Sequence, residues 1–266
     1  PYRQAVDGPP GESVRIEQTY TVRTEFDAVP AAYKPVRIRG ETRQITQVTS
    51  NDGFAPATTL AENESYTVVS QRPSATPAGV RRAGVDYPDG VQRRYTQLPG
   101  STPDRVRDRT QQVLQQADAS TPYDAAVAVE RYLESTKEYS LDVPNPGSNI
   151  ADSFLFEMEA GYCTYYATTM VTMLRSQGIP ARFVTGYTTG QRVGPEEYVV
   201  RGLDSHAWVE VYFPDVGWVR FDPTPAADRT DAERATVEEA REAGEPNVDA
   251  AGPSAGSSLD SNHRGR

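Results

Sequence analysis

The sequence contains one cysteine, Cys163, and two histidines, His206 and His263. A single thiol cannot close an intrachain disulfide or build a multi-cysteine zinc site. It can be a small buried apolar group, or a nucleophile if something lowers its pKa. Cys163 opens a helical pattern in which Ala167, Met170 and Leu174 recur on its own face. In the first turn of a helix, the unpaired N–H groups and the dipole favour a thiolate. On its own, the residue fits an inert buried cysteine better than a nucleophile.

His206 and Asp222 change that balance. Ala207, Val209, Val211 and Phe213 alternate with His206, Trp208, Glu210 and Tyr212, which describes a strand with one apolar face. The other face, carrying His, Trp and Glu, suits the wall of a cleft. Phe213-Pro214-Asp215-Val216-Gly217 reads as a hairpin turn. If Tyr212 pairs with Val216, then Val209 faces Val219, Ala207 faces Phe221, and His206 directly opposes Asp222. Opposed Cβ atoms lie roughly 5 Å apart. A carboxylate at that distance can hold one imidazole nitrogen and leave the other to take a thiol proton. Taken separately, His206 fits a satisfied sheet histidine and Asp222 a turn residue before Pro223. Taken together, the only Cys, one of two His and an Asp of matching parity point to nucleophilic catalysis.

The elements that position these groups are legible around them. Gly161 precedes the helix expected over 163–177, and Gly178 is its expected C-terminal residue. Strand-like segments follow at 181–189, 197–201, 206–213 and 217–222. Upstream, Thr102-Pro103-Asp104 and Thr121-Pro122-Tyr123-Asp124 are helix starts with an N-cap, a first-position proline and an acid. The second start leads a stripe of Ala125, Val129, Tyr132 and Leu133 to about Thr136. Residues 152–157 read as a short helical turn.

Residues 1–98 read as a β-rich, sandwich-like domain. Val14, Ile16, Gln18, Tyr20 and Val22 share one parity, and shorter runs lie at 36–38, 45–48 and 66–70. Residues 99–225 form the expected catalytic domain. Residues 226–266 hold almost no large apolar side chains and read as an acidic mobile tail or linker, with a helical stretch around 232–242. Asn63-Glu64-Ser65 fits the N-glycosylation acceptor pattern, which arises often by chance.

The net charge of −10 disfavours a nucleic-acid partner, which needs clustered Lys and Arg. Lys34 and Lys137 are the only lysines beside a majority of arginines. An acidic, lysine-poor surface suits high salt, where screening removes self-repulsion; a GC-rich genome would give the same arginine bias. No apolar run is long enough to span a membrane and no signal peptide is visible. A start at Pro1 rather than Met reads as a mature or excised segment.

Four separated blocks carry a family resemblance. They are Gly161-Tyr162-Cys163, Met173 through Tyr187, His206-Ala207-Trp208-Val209-Glu210-Val211-Tyr212, and Gly217-Trp218-Val219-Arg220-Phe221-Asp222-Pro223. In this order they resemble the transglutaminase-like superfamily, most closely its microbial, membrane-anchored branch, over about residues 100–225. The resemblance implies an α+β, papain-like core in which the nucleophile helix packs on an antiparallel sheet. It implies a Cys163, His206 and Asp222 triad that transfers the acyl group of a glutamine carboxamide to an amine or to water. The backbone N–H of Cys163 would serve the oxyanion. The second donor would be Tyr162 or a backbone group, since no Trp precedes the cysteine here. Trp208 would line the cleft or shield it from water. Arg182 and Tyr187 would pack around the site.

The resemblance also implies a protein or peptide substrate, no cofactor, and a place on the extracellular face of a membrane, with the anchor outside this chain. A cysteine protease or amidase would use the same triad. A cell-surface binding module without catalysis is the alternative of a different class.

Overall fold

In a computed structural model, residues 6–245 and Val248 are described. The chain divides into two compact units, Pro1–Thr185 with Ala207–Pro225, and Gly186–His206 with Ala226–Arg266.

The first unit begins with β1 (Ser13–Thr21), β2 (Pro35–Arg39), β3 (Thr46–Val48), β4 (Phe54–Pro56) and β5 (Ser65–Pro73). The expected sandwich takes the form of one antiparallel sheet, ordered β1-β5-β2, and a separate β3-β4 pair. Alternation explains β5: Tyr66 and Val68 turn inward to a small core with Val22, Val29, Ile38, Phe54 and Leu60. Asp52, in the Asn51-Asp52-Gly53 turn, adopts φ of 66° between β3 and β4. Two short helices, α1 (Pro77–Arg81) and α2 (Asp89–Tyr95), then occupy the end of the stretch expected to be β-rich. The signal for α1 was present: Thr76 caps the N–H of Gly79 and Pro77 takes the first position.

Next come α3 (Asp104–Gln116), α4 (Pro122–Thr136), β6 (Glu138–Tyr139), α5 (Ile150–Phe156), β7 (Ala160–Gly161) and α6 (Cys163–Ser176). Val106, Thr110 and Val113 bury one stripe of α3. Its N-cap is Pro103 rather than the expected Thr102, whose N–H is drawn into a turn with Pro99 O at 3.0 Å. Thr121 caps α4 as its sequence predicts, accepting from the N–H of Asp124.

Helix α6 is buried nearly all round, with Tyr166, Ala167, Met170, Met173 and Leu174 inaccessible. It packs on α3, α4 and α5. Gly178, at φ 75°, ends it by letting Ile179 N–H reach Leu174 O.

After it run β8 (Ala181–Tyr187), β9 (Gln191–Arg192), β10 (Tyr198–Val199), β11 (Ser205–Phe213), β12 (Gly217–Phe221) and α7 (Ala226–Glu242). The main sheet is ordered β12-β11-β8. Val209, Val211, Phe213 and Phe221 join Met170 and Leu174 of α6 in one apolar cluster, so this is an α+β core with helix against sheet.

In the second unit, β9 pairs antiparallel with β10. Arg201 binds Val248 O through Nε at 2.5 Å and, through its N–H, the carboxylate of Asp204 at 2.6 Å. Helix α7 fills the start of the expected tail and begins at Ala226 rather than 232. None of its residues is buried. Ion pairs along its own surface, Arg229–Glu233, Arg234–Asp231 and Arg241–Glu238, supply local support instead. The expectations for His263 and for residues 249–266 lie outside the described residues. No helix among the described residues is long and apolar enough to cross a membrane.

Candidate active site

Cys163 is the first residue of α6 and is half-buried against the main apolar cluster. The backbone leading into it is held by the parallel pairing of β6 and β7, in which Tyr139 stands beside Gly161. Ser140 N–H donates to Gly161 O at 3.0 Å. Lys137 ties down the preceding turn by donating to Leu155 O and Met158 O.

Gly161 is required by space. A Cβ there would meet Phe154 at 2.7 Å and Tyr165 at 2.8 Å. Gly161→Ala should therefore force an overpacked core and lower stability by ~1–3 kcal/mol, read as a drop in denaturation midpoint. A stability equal to wild type would show that the aromatic pair yields freely.

Tyr162 is the N-cap residue, in extended conformation and without a side-chain capping bond. Its ring lies 4.4 Å from that of Tyr165, between centroids. That contact places the ring along its own helix.

The face of β11 opposite the core carries His206, Trp208, Glu210 and Tyr212. His206 is 3% exposed. The β11–β12 register differs from the expected one. Phe213 pairs with Gly217, Tyr212 with Trp218, Val211 with Val219, Glu210 with Arg220 and Val209 with Phe221. Relative to expectation the partners shift by two residues, and one further step of the ladder would set Trp208, not His206, against Asp222.

The turn accounts for the shift. Val216 N–H bonds Phe213 O, Asp215 takes φ of 58°, and Gly217 takes φ of 95° as the first paired residue. A shift by an even number preserves the faces. His206 and Asp222 thus keep one parity.

Asp222 lies just past β12 and is held from several sides. Arg220 donates to its Oδ2 at 2.9 Å, and Thr224 N–H approaches Oδ1 at 3.4 Å. The Arg220 guanidinium stacks over the Trp208 ring at 4.5 Å. So Trp208 and Asp222, two of the residues singled out from sequence, meet through Arg220. From the helix side, Glu130 of α4 accepts the Asp222 backbone N–H at 2.8 Å.

Burial pushes the Glu130 carboxyl up to about 7, and the charges of Glu134 and Asp222 push the same way, against the N–H bond and Arg131. Burial also raises Glu134. A carboxyl raised on folding stabilises most fully below its unfolded pKa, near 4.3. That stability is lost as pH rises toward about 7. Glu130→Gln should flatten the decline in stability across this window, as denaturant midpoints measured against pH would show.

Sequence reasoning assigned no role to Arg220 or Glu130. Arg220 was visible as a residue of matching parity beside Trp208. Glu130 acts on a backbone group 92 residues away and left no local signal.

Comparison with known proteins follows the same residues. Residues 108–223 match the sequence profile of the transglutaminase-like superfamily. Over 203 residues the chain is 36% identical to the uncharacterized protein YebA of Bacillus subtilis, covering 71% of this chain and 26% of that one. Over 154 residues it is 36% identical to a protein-glutamine gamma-glutamyltransferase of Pseudomonas aeruginosa, covering 58% and 23%. The chain thus spans about a quarter of the length of these two relatives. Among solved structures, the periplasmic domain of TgpA from Pseudomonas aeruginosa matches with a TM-score of 0.63 and 25% identity, covering 88% of this chain and 77% of that one.

Proposed function

From the premise that the chain belongs, through residues 108–223, to the transglutaminase-like superfamily, we propose that it is a thiol acyltransferase acting on glutamine carboxamides of proteins or peptides. The observation that carries this is the placement of the single cysteine at the first position of α6, half-buried, where helix N–H groups favour a thiolate.

In this reading the Cys163 thiolate attacks the carboxamide carbon and forms a C–S bond, and the oxyanion takes the Cys163 N–H. Imidazolium His206 gives its proton to the leaving nitrogen, the C–N bond breaks, and ammonia departs. An amine then attacks the thioester, passes a proton to His206, and breaks the C–S bond to restore the thiolate. Water in place of the amine yields the carboxylic acid, which is the hydrolase alternative. Asp222, held by Arg220 and Glu130, orients the imidazole. Trp208, under the Arg220 guanidinium, is a cleft wall in this account, and Tyr162 or a backbone group is the second oxyanion donor.

Likeness to a periplasmic domain supports a place outside the cytoplasmic membrane. The substrate would then be a protein of that compartment.

Incubation with a glutamine-containing peptide and a labelled primary amine tests the reading. Amine incorporation with one ammonia released per event is expected. Ammonia without incorporation would make the protein an amidase. Neither product, with wild-type protein folded, would favour a binding module.

A further inference from the structure

Asp222 takes polar contacts both from its own stretch of chain and from α4. Arg220 and Thr224 are two residues away on either side. Glu130 reaches in from α4 and takes the backbone N–H of Asp222 at 2.8 Å. Asp222 follows the last paired residue of β12, Phe221. Its N–H therefore lies where the β11–β12 ladder ends, and Glu130 Oε1 serves as its acceptor.

This contact falls on the backbone, so it sets where the Asp222 side chain starts from rather than competing for its oxygens. The α4 framework behind it is anchored in the core, where Ala126, Val129 and Leu133 are inaccessible. Carboxyls are costly to bury, and Glu130 retains one against burial and against the nearby charges of Asp222 and Glu134, with Arg131 as the opposing cation on α4. Helix packing alone would be served better by an apolar residue.

From this geometry we infer that Glu130 is a positioning residue for the proposed acyl transfer, fixing the backbone of Asp222 so that its carboxylate is presented to the imidazole. The inference rests on the transglutaminase-like reading above. Misplacement of a supporting group by about an ångström can cost on the order of a hundredfold in rate.

The test compares wild type, Glu130→Gln, Glu130→Ala and Glu130→Asp in the labelled-amine assay, with folding checked by circular dichroism. Gln keeps an acceptor of the same reach, Asp draws it back by one methylene, and Ala removes it. Glu130→Ala is expected to lower kcat about 10–100-fold with KM within about twofold, and Gln to restore kcat to within about threefold. Should Ala fail to fold, Asp carries the test, with kcat expected to fall about tenfold at unchanged KM.

Unchanged kcat in Ala and Asp would overturn the positioning role while leaving the acyl-transfer reading intact. A loss in Gln as large as in Ala would do the same. A wild-type protein with neither incorporation nor ammonia release would overturn both.

Discussion

Arg182→Ala should cost ~3–5 kcal/mol of folding stability, among the largest effects available outside the apolar core. Arg182 and Glu210 are 9% and 3% exposed. Two guanidinium nitrogens meet one carboxylate oxygen, Nε at 2.8 Å and Nη2 at 2.7 Å. The same guanidinium donates to Asn51 O at 3.3 Å and lies over the Trp218 and Tyr33 rings, at 4.3 and 5.4 Å. It therefore joins β8 and β11 to the β-rich part of the chain. Truncation leaves a carboxylate buried without its cation, which is the costly half of the exchange. Pairing Arg182→Met with Glu210→Leu should recover most of the loss, because the apolar pair needs no compensating charge. Denaturant titration of the two single variants and the double variant would read this as a coupling energy. Additive losses would contradict it.

The second large effect is on activity. Cys163→Ala should lower acyl transfer at least a thousandfold, or ~4 kcal/mol of barrier. His206→Ala should do nearly as much, and the double variant should be no worse than either alone, because the two act as one unit. The thermal midpoint of Cys163→Ala should stay near wild type, since the thiol is half-buried and truncation removes one atom. Multiplying losses in the double variant would mean that the two residues act independently.

The sequence made some of this legible and hid the rest for physical reasons. Helices α4 and α6 have caps that act over three or four residues, Thr121 at one start and Gly178 at one end, so their bounds were readable. The faces of β11 were readable because strand alternation is local. The β11–β12 register was not, because it turns on Gly217. That residue sits at positive φ, and a Cβ on it would approach Pro10 at 3.1 Å, a contact from the far end of the chain. Arg182 was expected only to pack. Its partner Glu210 is 28 residues on, in another strand. Glu130 stood on the polar side of a readable helix, where a carboxylate ordinarily faces water. Helix α1 carries the same Thr-Pro start as α4, but the segment before it alternates like strand and masks that signal.

Alkylation of Cys163 against pH, in wild type and in His206→Gln, bears most directly on whether a thiolate and an imidazole share this site. The account predicts rapid alkylation of wild type below pH 7, well under the ordinary thiol pKa of about 8.5. In His206→Gln the midpoint should move up toward the ordinary value. A Cys163 that reacts no faster than free cysteine, with a profile indifferent to His206, would contradict the account.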